Sequence, residues 1–343
     1  MGGVAFQWIS LVVHWFHVVI GVMWIGASFY LISWENKFNR TTGLRDGVEG
    51  NFWTIQGGDF YYVEKLKEAP AELPAELHWF KYEAYLTWLS GFLLLCIVFY
   101  VDARAMLVNR NVTDIGPEAA IAIGIGSLLL CWLIYCAYAR TRLARNLPAS
   151  AVVGLLALAG LSYIFLQFFS QRAAFIHVGA VMGTIMSGNV FFVIIPWHKR
   201  LIDAIKNNRP LDALYAARPG YLSRHNHYMT LPVFLIMLGG HFPAVFDHPH
   251  SWAIITAIAL SAGLIKHFHN LIQKKQPGIV FLLAAMAVFG GAVFAAIWPA
   301  GNNMTCHNKV SDEEAYQIVA THCLMCHSTS PTHPGWRAPP NGV

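Results

Sequence analysis

GIVFLLAAMAVFGGAVFAAIW, residues 278–298, is a run of 21 residues without one charged side chain. About 20 residues at ~1.5 Å rise cross the roughly 30 Å hydrocarbon core of a bilayer, where only a helix or a closed barrel satisfies its own backbone. The run is continuous and not alternating in the barrel manner, so it predicts a transmembrane helix. Similar runs fall near residues 8–33, 84–102, 118–138, 149–168, 173–196, 229–246 and 252–269. The expected fold is an all-α integral membrane protein with about eight transmembrane helices. Pro232, Gly239, Gly240 and Pro243 interrupt the sixth.

Composition agrees. Of 343 residues, 56% are hydrophobic, 14% aromatic and only 12% charged, and mean hydropathy is +0.47. A soluble domain carries roughly 25% charged residues. With eight spans, the first, third, fifth and seventh loops hold 17 Lys or Arg, against 5 in the even loops and the C-terminal tail. Basic loops stay in the cytoplasm, so both termini are expected in the periplasm of a bacterial inner membrane. Met1-Gly2-Gly3 offers no basic n-region, and the first span reads as a retained helix, not a cleaved signal. The net charge of +5 thus reflects topology. The lipid bilayer is the implied partner and no nucleic acid is.

After a membrane domain over 1–299 come a linker, 300–311, and a polar segment, 312–343. That segment carries Cys323-Leu324-Met325-Cys326-His327. Thiols of Cys323 and Cys326 at this spacing reach both vinyl groups of one haem edge, and His327 swings beneath the ring as axial ligand to the haem c iron. A redox CxxC would need a surrounding βαβ pattern, and a zinc site a second Cys/His pair. Asp312-Glu313-Glu314 reads as the acidic first turn of a helix with Tyr316, Val319 and Ala320 on its apolar side, the start of a class I cytochrome c. Sixteen residues follow His327, and Met325, inside the loop, cannot reach round the ring. The expectation is an incomplete cytochrome c-like domain. Cys96, Cys131 and Cys136 lie in apolar spans as small hydrophobes. Cys306, outside them and beside His307, is a free thiol without a readable role.

Histidine, at 16 residues, sorts into two layers on this topology. His14, His17, His177 and His241 fall toward the periplasmic side; His198, His225, His227, His267 and His269 fall toward the cytoplasmic side. Ionisable groups in spans face the bundle interior, and neutral imidazole is a natural iron ligand. His14 and His17 share a helix face with Gly21 and Trp24, and Gly179 and Gly183 after His177 permit a close approach. A pair among His14, His17, His177 and His241 is therefore expected to ligate a haem b, helix packing being the competing explanation. His225 and His227, two residues apart, read as a loop-and-helix-start pair at the membrane surface.

Three stretches carry a resemblance. They are His14-Trp15-Phe16-His17 running on through Trp24-Ile25-Gly26-Ala27-Ser28-Phe29-Tyr30, Gly57-Gly58-Asp59-Phe60-Tyr61 with Val63-Glu64-Lys65, and Leu77-His78-Trp79-Phe80-Lys81-Tyr82-Glu83-Ala84-Tyr85 with Thr87-Trp88-Leu89-Ser90-Gly91. In these the chain resembles the membrane-integral urate oxidases, along its whole length and most specifically in the first loop. The resemblance implies an eight-helix domain joined to a C-terminal cytochrome c. It also implies oxidation of urate to 5-hydroxyisourate, with electrons passed to the cytochrome and a respiratory acceptor, a terminal oxidase or soluble cytochrome, instead of direct peroxide formation. The missing remainder of the cytochrome fold is its one clear departure.

A planar anion is best held by an Arg fork, amides and stacking. Gln167, Gln171 and Arg172 supply such a set, with a polar loop and a snorkelling Arg as the bland reading. The rival location is cytoplasmic, with Gly57, Gly58, Asp59 and Glu64 near His225 and His227, where Asp59 or Glu64 takes a proton if burial raises its pKa. Glu64, Glu68, Glu72 and Glu76 otherwise form a solvated face. A quinol-to-cytochrome relay using the same histidines, or a copper- or haem-handling membrane protein, are the alternative functions.

Overall fold

A computed structural model describes residues 4–70, 73–109, 112–113, 115–210, 212, 214–239, 242, 248–297, 311–322, 324 and 328. The chain divides into two compact units, Met1–Trp298 and Pro299–Val343. The first begins with helix α1, Val4–Lys37, followed by strands β1, Val48–Gln56, and β2, Asp59–Leu66. Then come α2, Tyr82–Leu95, a π-helical turn Cys96–Tyr100, the short α3, Ala103–Met106, α4, Pro117–Tyr138, and α5, Leu147–Leu166. Helix α6, Gln171–Gly188, runs through a second π-helical turn, Asn189–Ile194, into α7, Ile195–Lys206. The unit closes with α8, Leu214–Leu238, α9, Ser251–Gln273, and α10, Ile279–Ile297. The second unit contains α11, Asp312–His322.

Local chemistry sets the helix starts. The Asn146 side chain accepts from the Ala149 N–H at 3.0 Å at the head of α5, and Ser170 accepts from Ala173 at 3.4 Å at the head of α6. Each satisfies one backbone donor that the first turn leaves open. Pro117 begins α4, where its missing N–H costs nothing.

Among the described residues, seven helices are long and apolar enough to cross a bilayer, counting α2 with its π-turn and α6 through α7 as one each. The expected sixth span, 229–246, is displaced. Helix α8 starts at Leu214 and ends at Leu238, because in its first half His225, Asn226 and His227 find partners inside the bundle and the segment stays helical. The chain is mostly helical but not all-α. Gly57 and Gly58 take φ of 63° and 94°, the left-handed pair a tight hairpin turn requires, and they join β1 to β2 in antiparallel register with Gln56 opposite Asp59. Runs of aromatic and β-branched residues, Phe52-Trp53-Thr54-Ile55 in β1 and Phe60-Tyr61-Tyr62-Val63 in β2, supply the strand propensity.

Helix α6 is the axis of the first unit, packing on α2, α4, α5 and α8. Half of its apolar window, 50%, is buried, against 0% for α1. Outward faces are apolar: Leu129, Leu130 and Leu133 on α4, and Val280, Leu283, Met286 and Phe294 on α10 are exposed. Such continuous apolar surface is far more than a water-facing monomer presents. Glycines allow the close contacts inside. A Cβ on Gly188 of α6 would lie 2.6 Å from the Trp132 ring of α4, and one on Gly179 2.8 Å from Met237 of α8.

Gly188→Ala forces Trp132 from its seat, an overpacking cost of about 1–3 kcal/mol. Thermal unfolding of the detergent-purified variant is expected at a lower temperature; an unchanged midpoint would contradict the α4–α6 contact.

Candidate functional site

Three of the four histidines expected as iron ligands are described, and each is anchored through Nδ1. His177 is fully buried among Phe99, Phe165 and Phe169. Its Nδ1 lies 2.8 Å from the Ala173 carbonyl, which can only accept, so Nδ1 carries the proton and Nε2 accepts from Tyr100 Oη at 3.0 Å. In α1, His17 Nδ1 lies 3.0 Å from Ser90 Oγ. That hydroxyl donates to the Leu86 carbonyl at 2.6 Å, which makes His17 Nδ1 the donor and leaves Nε2 with its lone pair. His14, exposed on α1, donates from Nδ1 to the Ser10 carbonyl at 2.7 Å. A protein acceptor on one ring nitrogen, leaving the other basic, is the usual setting of a ligating imidazole.

The surroundings are helix contacts. Gly21 faces Thr87 Cγ2 at 3.9 Å, Gly91 receives the His17 ring, and Gly179 receives Ile236 and Met237, while nothing lies within 4 Å of a Cβ at Gly183. His241, Cys306 and the Cys323, Cys326 and His327 expected to hold haem c lie outside the described residues.

Gln167, Gln171 and Arg172 share the α5–α6 corner. Gln167 Nε2 donates to the Tyr163 carbonyl at 3.1 Å, Gln171 is half-buried and Arg172 is exposed. Among the described residues, no hydrogen bond joins the three side chains to one another. At the hairpin, Asp59 is exposed beside the turn. Glu64 is clamped by Arg45 and accepts from Tyr62 Oη at 2.8 Å. The Arg45 hydrogen bonds, then that of Tyr62, hold its carboxyl below the ordinary carboxylate range. The upward pull of desolvation is outweighed by these bonds, and no described contact joins Asp59 or Glu64 to His225 or His227. Glu68 and Glu76 are exposed, and Glu72 lies outside the described residues.

The surface reading of His225 and His227 is corrected: both lie well inside α8, and His227 is only 2% exposed. Early helix formation from Leu214 turns them inward. They belong to a polar seam at the end of the bundle where α1 enters the hairpin. On one side of α8, Tyr135 Oη meets His225 Nδ1 at 2.9 Å and accepts from Asn189 at 2.9 Å. Asn189 also donates to Asn226 at 2.9 Å, and His225 Nε2 donates to the Ala144 carbonyl at 2.8 Å. On the other side lie Asn36 of α1 and Lys266, Asn270 and Gln273 of α9. Asn36 donates to Gln273 at 3.0 Å, and His227 Nε2 is 3.5 Å from Asn270 Oδ1.

Lys266 is the only buried lysine or arginine among the described residues, at 2% exposure. Its Nζ sits 3.4 Å from the centroid of the Phe29 ring, without an ion pair or hydrogen bond to any described residue. A desolvated cation–π contact supplies about 2 kcal/mol, whereas burying a lone ammonium costs several kcal/mol. Sequence reading passed over Lys266; its signal was the one Lys or Arg inside the run 252–269, and an ionisable group in a span marks function more often than packing.

A family model described as urate oxidase N-terminal matches residues 3–298, which takes in every element from α1 to α10. No curated protein and no solved structure matches the chain.

Glu64 titrates lower folded than unfolded, so its clamp contributes fully above the unfolded value of about 4.3 and is lost as pH falls through the depressed one. Hydrogen-exchange protection of residues 48–66, corrected for intrinsic rates, is expected to hold from pH 7 to about 5 and to drop below about 4. Glu64→Gln is expected to show the reduced protection already at pH 7.

Proposed function

We propose that this chain, which belongs to the urate oxidase N-terminal family, oxidises urate to 5-hydroxyisourate within a bilayer. Electrons pass to a c-type haem on the C-terminal segment and then to a terminal oxidase or soluble cytochrome. The family match over residues 3–298 carries the reading. Seven long apolar helices support a membrane location, and with α8, Leu214–Leu238, as an eighth crossing the excess of Lys and Arg in alternate loops supports a bacterial inner membrane with both termini in the periplasm.

Urate and one water become 5-hydroxyisourate with release of two protons and two electrons. The water oxygen bonds to C5, and no hydrogen peroxide forms unless oxygen takes the electrons directly. Haem, when bound, supplies acceptance of one electron at a time. The donor set Cys323, Cys326 and His327 has the chemistry to hold haem c: two thiols for the ring edge and an imidazole for the iron. For a haem b, His14 and His17 offer Nε2 lone pairs fixed by Ser10 and Ser90. His177 offers the most enclosed imidazole, with Tyr100 on its Nε2, and His241 is the remaining candidate. This chain's own residues must also hold the urate anion, exclude competing oxidants and accept the released protons.

Membranes containing the full chain, matured in cells competent to attach haem c, test the reading. Anaerobic urate is expected to produce the reduced haem bands. Reduction by a quinol with none by urate would replace this reading with that of a quinol-to-cytochrome relay.

Pyridine haemochrome analysis is expected to find non-covalent haem lost in His17→Ala or His177→Ala with covalent haem retained. Unchanged content in both would remove haem b from these helices.

A further inference from the structure

The seam between α1, α8 and α9 has the composition of a binding site for a flat anion. Lys266, Asn270 and Gln273 lie at i, i+4 and i+7 of α9 and so share one face. Phe29 and Asn36, seven apart, present the matching face of α1, and His227 closes the third side from α8. The Lys266 ammonium rests on the Phe29 ring at 3.4 Å with no carboxylate opposite it among the described residues. His227 Nδ1 is buried with no hydrogen-bond partner.

Gln273 is held at 3.0 Å by Asn36 and by Ser33 Oγ, but the contacts of Asn270 at the centre of the seam are long. Asn36 Nδ2 to Asn270 Oδ1 and His227 Nε2 to Asn270 Oδ1 are each 3.5 Å, and Asn270 Nδ2 to Tyr228 Oη is 3.4 Å. Ordinary N–H···O bonds lie at about 2.7–3.2 Å. By contrast, the network on the far side of α8 is closed at 2.8–2.9 Å. One half of the seam is therefore satisfied by the protein itself. The other half holds an unpaired cation, an imidazole nitrogen without a partner and, in Asn270, an amide at the limit of hydrogen bonding.

We propose that Lys266, with His227, Asn270, Gln273 and Asn36 around it and Phe29 as an aromatic wall, binds the urate monoanion. This rests on the urate reading above and assigns its substrate to the α1–α8–α9 seam, not to the Gln167–Gln171–Arg172 corner. An ammonium answers the single negative charge. Primary amides both donate and accept, as the alternating N–H and C=O groups of an oxidised purine ring require. A neutral methylated purine has the same flat shape without the charge and is expected to bind far more weakly.

The test is equilibrium binding of radiolabelled urate to the purified full chain with its haem kept reduced, so that no turnover occurs. Wild type is expected to bind saturably. Lys266→Met is expected to bind about tenfold or more weakly and Lys266→Arg to retain most of the affinity, both with unchanged haem content. His227→Ala, tested alongside, is expected to weaken binding without abolishing it. Equal binding by wild type and Lys266→Met, or no saturable binding by wild type, overturns the assignment. So does a loss in Arg172→Ala that Lys266→Met does not share, which would move the anion to the α5–α6 corner. Failure of the urate reading appears separately, as wild-type haem that urate does not reduce in the anaerobic assay.

Discussion

Inside an apolar bundle a polar side chain has no water to turn to, and it must find a partner on a neighbouring helix. This constraint organises the molecule around α6. That helix buries His177, Ser187 and, at the turn that follows, Asn189, and each reaches a different neighbour: Tyr100 beyond α2, the Ala84 carbonyl in α2, and Tyr135 in α4. Helices with little polar content, α1 for most of its length and α10, are left on the outside. The arrangement inverts a water-soluble core, with polar contacts at the centre and apolar surface at the rim.

Two chemically distinct zones result. The end bearing His177 is tight and aromatic, and its imidazole is fixed on both nitrogens. At the hairpin end, amides and imidazoles fill a seam that α8 divides in two, one half closed and the other loosely bonded around Lys266. The hairpin contributes through its base, where Lys65 pairs with Glu35 and Glu49 at 3.0 and 3.2 Å and ties the sheet to the end of α1, one residue from Asn36. It does not bring Asp59 or Glu64 to the histidines.

Much of the helical scaffold is legible in the sequence because apolar length is a local property. The runs at 84–102, 118–138, 149–168 and 278–298 each correspond to one helix. Helix α8 was not, since its stability comes from tertiary partners of Asn226, His225 and His227, and hydropathy sees only the polar half those partners tolerate. The hairpin was legible but overlooked: Gly57-Gly58 between two runs rich in aromatic and β-branched residues is a turn signal that membrane hydropathy overshadowed. Histidine content pointed to both ends of the bundle. The Lys266 seam depends on three helices whose extremes, α1 and α9, meet through Asn36 and Gln273, 237 residues apart in the chain, and no window of sequence contains it.

The two π-helical turns bear on this directly. Tyr100 closes the first and Asn189 opens the second, so each stands at the point where one extra residue has been accommodated within a helix. Deleting a single residue from either loop would rewind it to ordinary α geometry and swing the segment beyond by about 100°, one residue's share of a turn. Tyr100 would then leave His177, or α7 would turn away from its seat on α8. The spacing of the chain at these two points thus acts as a phase setting, keying the aromatic pocket and the amide seam to the same central shaft.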